Sequence, residues 1–242
     1  MNQNLSKLLE QGVNAMFPEY KCIFCGSECE DVDMVICNRC KEEVVPLNEN
    51  MVCEKCGRPL TKNYEHLCRD CAELAHPFDK ARAVYIYEEG VAHCVTALKY
   101  NGEKYRAKIM AKHMARLFVA LGWKVDAVTY VPMSEDREKE RGYNQAKLIC
   151  EEFAKLTGLT MMTLLVQPNA IDSQVGLSKM QRLENLSGAF KVVNKSDIKG
   201  KRVLILDDVY TTGATLHCCA NVLLHAGAKA VFGLTFAKGI LD

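Results

Sequence analysis

The stretch richest in reactive side chains is a pair of neighbouring carboxylates with a hydroxyl cluster close behind. Asp207 and Asp208 end the apolar run Val203, Leu204, Ile205 and Leu206, and after two more residues come Thr211, Thr212, Gly213, Ala214 and Thr215. A short apolar run reads as a buried strand, and ligands of open α/β sheets bind at the carboxyl ends of the strands. The run therefore predicts two acids delivered to a ligand edge. The turn after them opens a helix, so its backbone N–H groups, its hydroxyls and the helix dipole can surround a phosphate, with Gly213 permitting close backbone approach. Vicinal sugar hydroxyls are good donors to two acids, and magnesium favours hard oxygens that include substrate phosphates. Two carboxylates followed by a phosphate cradle describe a site for a ribose phosphate. Acids alone would fit a strand end that merely caps the next helix; three threonines and a glycine beside them go further. Neither Gly-x-x-x-x-Gly-Lys-Ser/Thr nor Gly-x-Gly-x-x-Gly occurs, which sets aside the P-loop and the dinucleotide fingerprint.

Metal is the second chemistry. Eight of the 13 cysteines form four Cys-x-x-Cys pairs, Cys22/Cys25, Cys37/Cys40, Cys53/Cys56 and Cys68/Cys71, and the last two pairs repeat the first two 31 residues on. Gly26 and Gly57 follow the leading pair of each half. Two such knuckles supply the four thiolates of a tetrahedral zinc site, and the spacing is that of zinc ribbons. A redox role for the pairs would need a thioredoxin-like βαβ setting, which this polar, turn-rich segment lacks. Sequential pairing would give two separate sites and alternate pairing one cross-braced domain, and spacing does not choose between them. Cys29 lies outside the repeat, while Cys94, Cys150, Cys218 and Cys219 fall on expected helices as small apolar residues. His66, beside Cys68, reads as a solvated loop residue. So short a segment has little core of its own, so the metal should supply much of its folding free energy.

The elements that must position these groups follow from periodicity. Beyond residue 80 the sequence alternates strand and helix signals: strands at 84–87, 125–131, 160–166, 203–206 and 231–236, with helices between them. Gly122, Gly158 and Gly227 close three of the helices. This predicts a mostly parallel sheet flanked by helices over 80–242, a double Cys-x-x-Cys domain over 21–75, and an N-terminal helix over 1–20. Residues 172–202 break the rhythm and read as a loop with a β excursion; seven Lys/Arg against two Asp/Glu over 178–202 make it a basic flap, with Gln174, Arg182 and Asn185 as candidates to face an acceptor.

The net charge of +1 hides an asymmetry. Residues 1–75 hold 8 Lys/Arg and 13 Asp/Glu, hence −5, and the rest hold 23 and 17, hence +6. An acidic zinc module suits protein contact, whereas the basic remainder attracts phosphorylated ligands. No run approaches the length of a membrane span, and residues 1–16 lack a basic region followed by an apolar block, which predicts a cytosolic protein.

The acid pair and its turn resemble the phosphoribosyl-pyrophosphate signature of type I phosphoribosyltransferases. Together with Lys99, Tyr100, Asn101 and Gly102, the run Arg141, Gly142, Tyr143, Asn144 and Gln145, the segment 182–190 and the cysteine pairs, the sequence is similar to the ComF family over roughly residues 20–238. That resemblance implies a type I phosphoribosyltransferase-like α/β fold with a small zinc-ribbon-like domain. It implies that Asp207 and Asp208 hold the ribose hydroxyls of 5-phosphoribosyl-1-pyrophosphate, that residues 211–215 hold the 5-phosphate, and that a loop over 133–141, with Arg137 and Arg141, holds the pyrophosphate with magnesium. Four acids against three bases give that loop a formal sum of −1, so Arg137 and Arg141 would have to approach the anion while the acids point away. The family is associated with uptake of single-stranded DNA in natural transformation, which implies helicase or channel partners at the inner face of the membrane. Two readings stay open: a catalytic phosphoribosyltransferase with an unidentified acceptor, or a ligand-binding protein whose basic face handles DNA.

Overall fold

The structure, a computed structural model, describes residues 21–29, 33–44, 46–47, 51–60, 66–168, 181, 185–186 and 188–240. The expected N-terminal helix over 1–20 lies outside these residues, as do 172–180, with Gly176, and 182–184 and 187 of the 172–202 segment.

Each half of the cysteine repeat is a knuckle followed by a short helix, α1 (Asn38–Glu43) and α2 (Arg69–Glu73). Isolated antiparallel bridges, Lys21 with Glu28 and Val52 with Pro59, bring the strands of each knuckle together. The chain then enters β1 (Lys80–Ile86), α3 (Glu89–Tyr100), α4 (Arg106–Leu121), β2 (Ala127–Tyr130), α5 (Glu135–Arg141) and α6 (Gln145–Thr157). After β3 (Leu165–Val166) and β4 (Lys191–Val192) come β5 (Arg202–Tyr210), α7 (Ala214–His225) and β6 (Ala230–Lys238). Gly122 and Gly158 adopt the left-handed conformation that ends α4 and α6, as expected of glycine after a helix.

The main sheet has the order β1-β6-β5-β2 with every pairing parallel. β5 is therefore internal, hydrogen-bonded on both edges, which is why its sequence is a nearly unbroken apolar run. Arg202 grips Asp126 through Nε (3.0 Å) and Nη2 (2.7 Å), which pins the start of β5 beside β2. Successive side chains of β5 feed opposite faces. Leu204 and Leu206 join one core with α4, α6 and Phe236; Val203 and Ile205 join the other with α7 and Val231.

Two sequence expectations change. Residues 135–141 of the expected 133–141 loop form the helix α5, because acids in its first turn and Lys139 and Arg141 in its last complement the helix dipole. The strand expected at 160–166 splits: Met161 bridges Val128 in parallel, then the chain leaves the sheet and β3 pairs antiparallel with β4.

The two ribbon knuckles do not stand apart from this sheet. Ile23 and Phe24 of the first are buried in the Leu204/Phe236 core, with the Phe24 ring 5.3 Å from Tyr85 and 6.4 Å from Phe236. Cys53, Cys56, Cys68 and Cys71 of the second lie in the Val203/Ile205 core. The short segment thus solves its lack of a core by sharing both cores of the α/β domain. Phe24→Ala should consequently destabilise that domain by about 3–5 kcal/mol, the usual cost of emptying a buried aromatic site. Urea unfolding followed by the fluorescence of Trp123, the single tryptophan, which packs on Phe232 at 5.0 Å, measures this; an unmoved midpoint would contradict the shared core.

Candidate functional site

The internal position of β5 places Asp207 and Asp208 at the carboxyl edge of the sheet, at the mouth of a cavity of about 930 Å³. Of the residues expected from sequence, Asp207, Asp208, Thr211, Thr215, Arg137 and Arg141 line that cavity together. Thr212, Gly213 and Ala214 do not. Thr212 is buried and its Oγ1 accepts from the backbone N–H of Ala214 at 3.4 Å, while Ala214 begins α7. Gly213 was expected to let a ligand approach; its φ of +81° and the Tyr210 ring, which a Cβ would strike, show that the turn and the ring demand glycine.

Asp208 is buried, and its Oδ1 meets Lys99 Nζ at 3.0 Å. Its Oδ2 is buried and has no hydrogen-bond partner among the described residues, an acceptor suited to a ligand hydroxyl or a hard cation. Asp207 is half-buried and its Oδ1 accepts from the Asp208 N–H at 2.8 Å. Burial, and then the charge of Asp208, push the Asp207 carboxyl up to about 8, against the pull of Lys99. For Lys99 burial opposes the charge, but Asp208 and Asp207 outweigh it and raise its pKa. The site therefore sets two acids against one ammonium, and Asp207 keeps its proton to a higher pH than an ordinary carboxyl.

The run from Arg141 to Gln145 now has a physical reading. Gly142 (φ +82°) ends α5, Asn144 caps α6 by accepting from Lys147 N–H and donating to the Val131 carbonyl, and Gln145 Oε1 accepts from Arg141 Nη1 at 2.6 Å. The Tyr143 hydroxyl donates to the Leu98 carbonyl, tying the end of α3 to this segment. Lys99 and Arg141 are thereby held on one rim, with the Arg141 guanidinium 5.1 Å from the Tyr100 ring centre.

The flap contributes differently from expectation. Gln174 and Arg182 lie outside the described residues, and Asn185 is half-buried but does not line the cavity. Leu186, Phe190 and Gln167 do, as do Tyr87 and Tyr143. Periodicity missed these wall residues because they come from irregular segments; the Lys99 motif was visible, but its pairing with Asp208 spans 109 positions and has no local signal.

The cysteines pair sequentially. Cys22, Cys25, Cys37 and Cys40 form one cluster and Cys53, Cys56, Cys68 and Cys71 another, with all sulfurs of each within 4.8 Å of one another. Tetrahedral Zn–S bonds of about 2.3 Å imply S···S separations of about 3.8 Å; Cys25 to Cys37 is 3.6 Å and Cys56 to Cys68 3.7 Å. Both sites fit structural zinc. His66 is exposed, paired with Glu54 at 3.0 Å, and belongs to neither. Cys94 and Cys150 are fully buried, with thiols pushed up to about 12 by burial; Cys219 is buried likewise, and Cys218 is half-exposed.

Fold and site together define a parallel α/β domain, flanked by helices, that carries a double zinc ribbon. Residues 12–72 match the family model "Double zinc ribbon domain". The chain is 26% identical to competence protein ComFC of Bacillus subtilis (86% of this chain, 90% of the relative) and 25% identical to competence protein F of Haemophilus influenzae (89% and 95%). It is 28% identical to the DNA utilization protein YhgH of Escherichia coli (81% and 87%). The chain is homologous to these ComF-family proteins over most of its length. Among solved structures it is similar to the allosteric regulatory enzyme of purine biosynthesis (23% identity, TM-score 0.37, 52% of this chain and 24% of that one). It is also similar to an adenine phosphoribosyltransferase (14%, 0.37, 61% and 75%). No helix among the described residues is long and apolar enough to cross a membrane.

Two outcomes follow. Metal analysis of the full chain should return two zinc ions; one or none would contradict the sequential clusters. A carboxyl pKa raised by folding means that the native state holds a proton the unfolded chain has lost. Stability should therefore fall as pH rises from the ordinary carboxylate range through about 8, by at most about 1.4 kcal/mol per pH unit. Asp207→Asn should flatten that slope between pH 6 and 8 in urea titrations, and an unchanged slope would refute the raised pKa of Asp207.

Proposed function

We propose that the cavity binds 5-phosphoribosyl-1-pyrophosphate with magnesium and that the protein acts in uptake of single-stranded DNA during natural transformation. The observation that supports this most is convergence: acids from β5, hydroxyls from the 211–215 turn, Lys99 from α3 and Arg137 and Arg141 from α5 line one cavity. In this reading Asp207 and Asp208 accept from the ribose hydroxyls. Thr211 and Thr215, the two residues of the 211–215 turn that line the cavity, hold the 5-phosphate, and Arg137 and Arg141 grip the pyrophosphate. Magnesium, when bound, would neutralise phosphate charge, and the two acids with the partnerless Oδ2 offer the hard oxygens it takes.

The DNA role draws on the names competence protein and DNA utilization protein borne by the relatives, and on the +6 balance of residues 76–242. Partners at the inner membrane face, and a protein docked on the acidic zinc module, belong to the same reading. The alternative is a transferase with an unidentified acceptor. Its support is space: about 930 Å³ stands at the upper end of small-molecule sites, and Leu186 and Phe190 give an apolar wall beside the acids. In that case the carboxylates would also stabilise positive charge developing at the ribose C1 as pyrophosphate leaves.

Calorimetric titration with the sugar donor, with and without magnesium, tests the site; absence of heat under both conditions would sink it. Asp207→Asn and Asp208→Asn should each weaken magnesium-dependent binding at least tenfold without unfolding the protein. Arg141→Ala should cost about 1.5–3 kcal/mol for the pyrophosphate-bearing donor, the range for hydrogen bonds to charged groups, and much less for ribose 5-phosphate. Pyrophosphate release across a panel of bases separates enzyme from binder, and gel shifts with single-stranded DNA should weaken steeply with salt.

A further inference from the structure

The second cysteine cluster and the 211–215 turn are neighbours through buried side chains. Tyr210, the last residue of β5, lies beside Lys238, the last residue of β6, in register. Lys238 is 1% exposed, and its Nζ sits 3.5 Å from the centre of the Tyr210 ring. Tyr210 shares one buried cluster with Cys53, Cys56, Cys68 and Cys71; burial lowers the pKa of the Lys238 ammonium, Cys56, Cys68 and Cys71 pull against that, and Arg58 pushes with it. The hydroxyl end of the Tyr210 ring abuts Gly213, so closely that any side chain there would strike it. A second contact runs through Phe78, fully buried, whose ring meets Tyr210 edge-on at 6.4 Å. Lys55, between Cys53 and Cys56, lies 5.7 Å above the Phe78 ring, and its carbonyl accepts from Ala81 N–H at 2.7 Å. Among the described residues the first cluster shows no such route; its knuckle packs on the opposite core, against Tyr85 and Phe236.

A buried ammonium is costly unless an opposite charge meets it, and a zinc tetrathiolate carries a formal −2. Lys238 is a cation placed to meet it, and the ring beneath the ammonium is the wall on which the turn rests.

We propose that Lys238 and Tyr210 are positioning residues that couple the second zinc cluster to the 211–215 turn, so that the metal of that cluster sets the conformation of the turn. The consequence for sugar-phosphate affinity rests on the reading of that turn as the phosphate cradle; the coupling itself does not.

Hydrogen exchange of the full zinc-loaded chain, read by mass spectrometry over residues 211–215, tests the coupling without any ligand. Lys238→Met removes the charge while keeping the length of the stem, and should speed exchange there at least tenfold. Tyr210→Leu should do the same, and Tyr210→Phe, which keeps the ring, should restore most of the protection. Cys56→Ser should speed exchange in the turn at least ten times more than Cys25→Ser of the first cluster. If Lys238→Met leaves the turn as protected as in the wild type, or if Cys25→Ser matches Cys56→Ser, the proposal is overturned. Titration with ribose 5-phosphate separates the two layers. A wild-type protein that fails to bind it while exchange follows the second cluster defeats the cradle reading and leaves the coupling standing. Wild-type binding with unaltered exchange and unaltered affinity in Lys238→Met defeats the coupling alone.

Discussion

A strand hydrogen-bonded on both edges and covered on both faces can carry charge only at its end. β5 is such a strand, running between β6 and β2, with Val203, Leu204, Ile205 and Leu206 all buried. Asp207 and Asp208 come just past Leu206, where β2 stops pairing and only β6 continues beside β5, and even there Asp208 is held by Lys99. That constraint generates the site's electrostatics: burial, and then the neighbouring acid, raise the pKa of Asp207, and an ammonium is drawn in to offset the pair.

The same edge explains why the site is assembled from distant segments. Parallel strands end at one side of the sheet, so the connections leaving β5 and β2 meet there, bringing the 211–215 turn and α5 to a common cavity. Tyr143 and Gln145 then fix α3 and Arg141 against one another. The motif that looked like a recognition sequence acts first as a brace, and its arginine reaches the cavity because its glycine, tyrosine and asparagine are occupied in structure.

The zinc module follows a different logic. Each knuckle is too small to bury a core, and each contributes its apolar residues to one face of the sheet, Phe24 to one and the second cysteine cluster to the other. Metal, ribbon and sheet thereby share packing, and the second cluster comes close to the residues that support the turn.

Local chemistry was readable in the sequence wherever periodicity or residue type decides the outcome. The apolar run before Asp207 gave β5, the glycines after periodic stretches marked the ends of α4 and α6, and the cysteine spacing gave metal knuckles. Helix α5 escaped because Glu135 to Arg141 contains no apolar residue, and a helix without an apolar stripe leaves no periodic mark. Which cysteine pairs cluster together, the insertion of β6 between β1 and β5, the reach of Lys99 to Asp208 and the seating of Lys238 over the Tyr210 ring were decided by tertiary structure alone. Each joins groups whose separation along the chain carries no energetic signal until the sheet has brought them within a few ångströms.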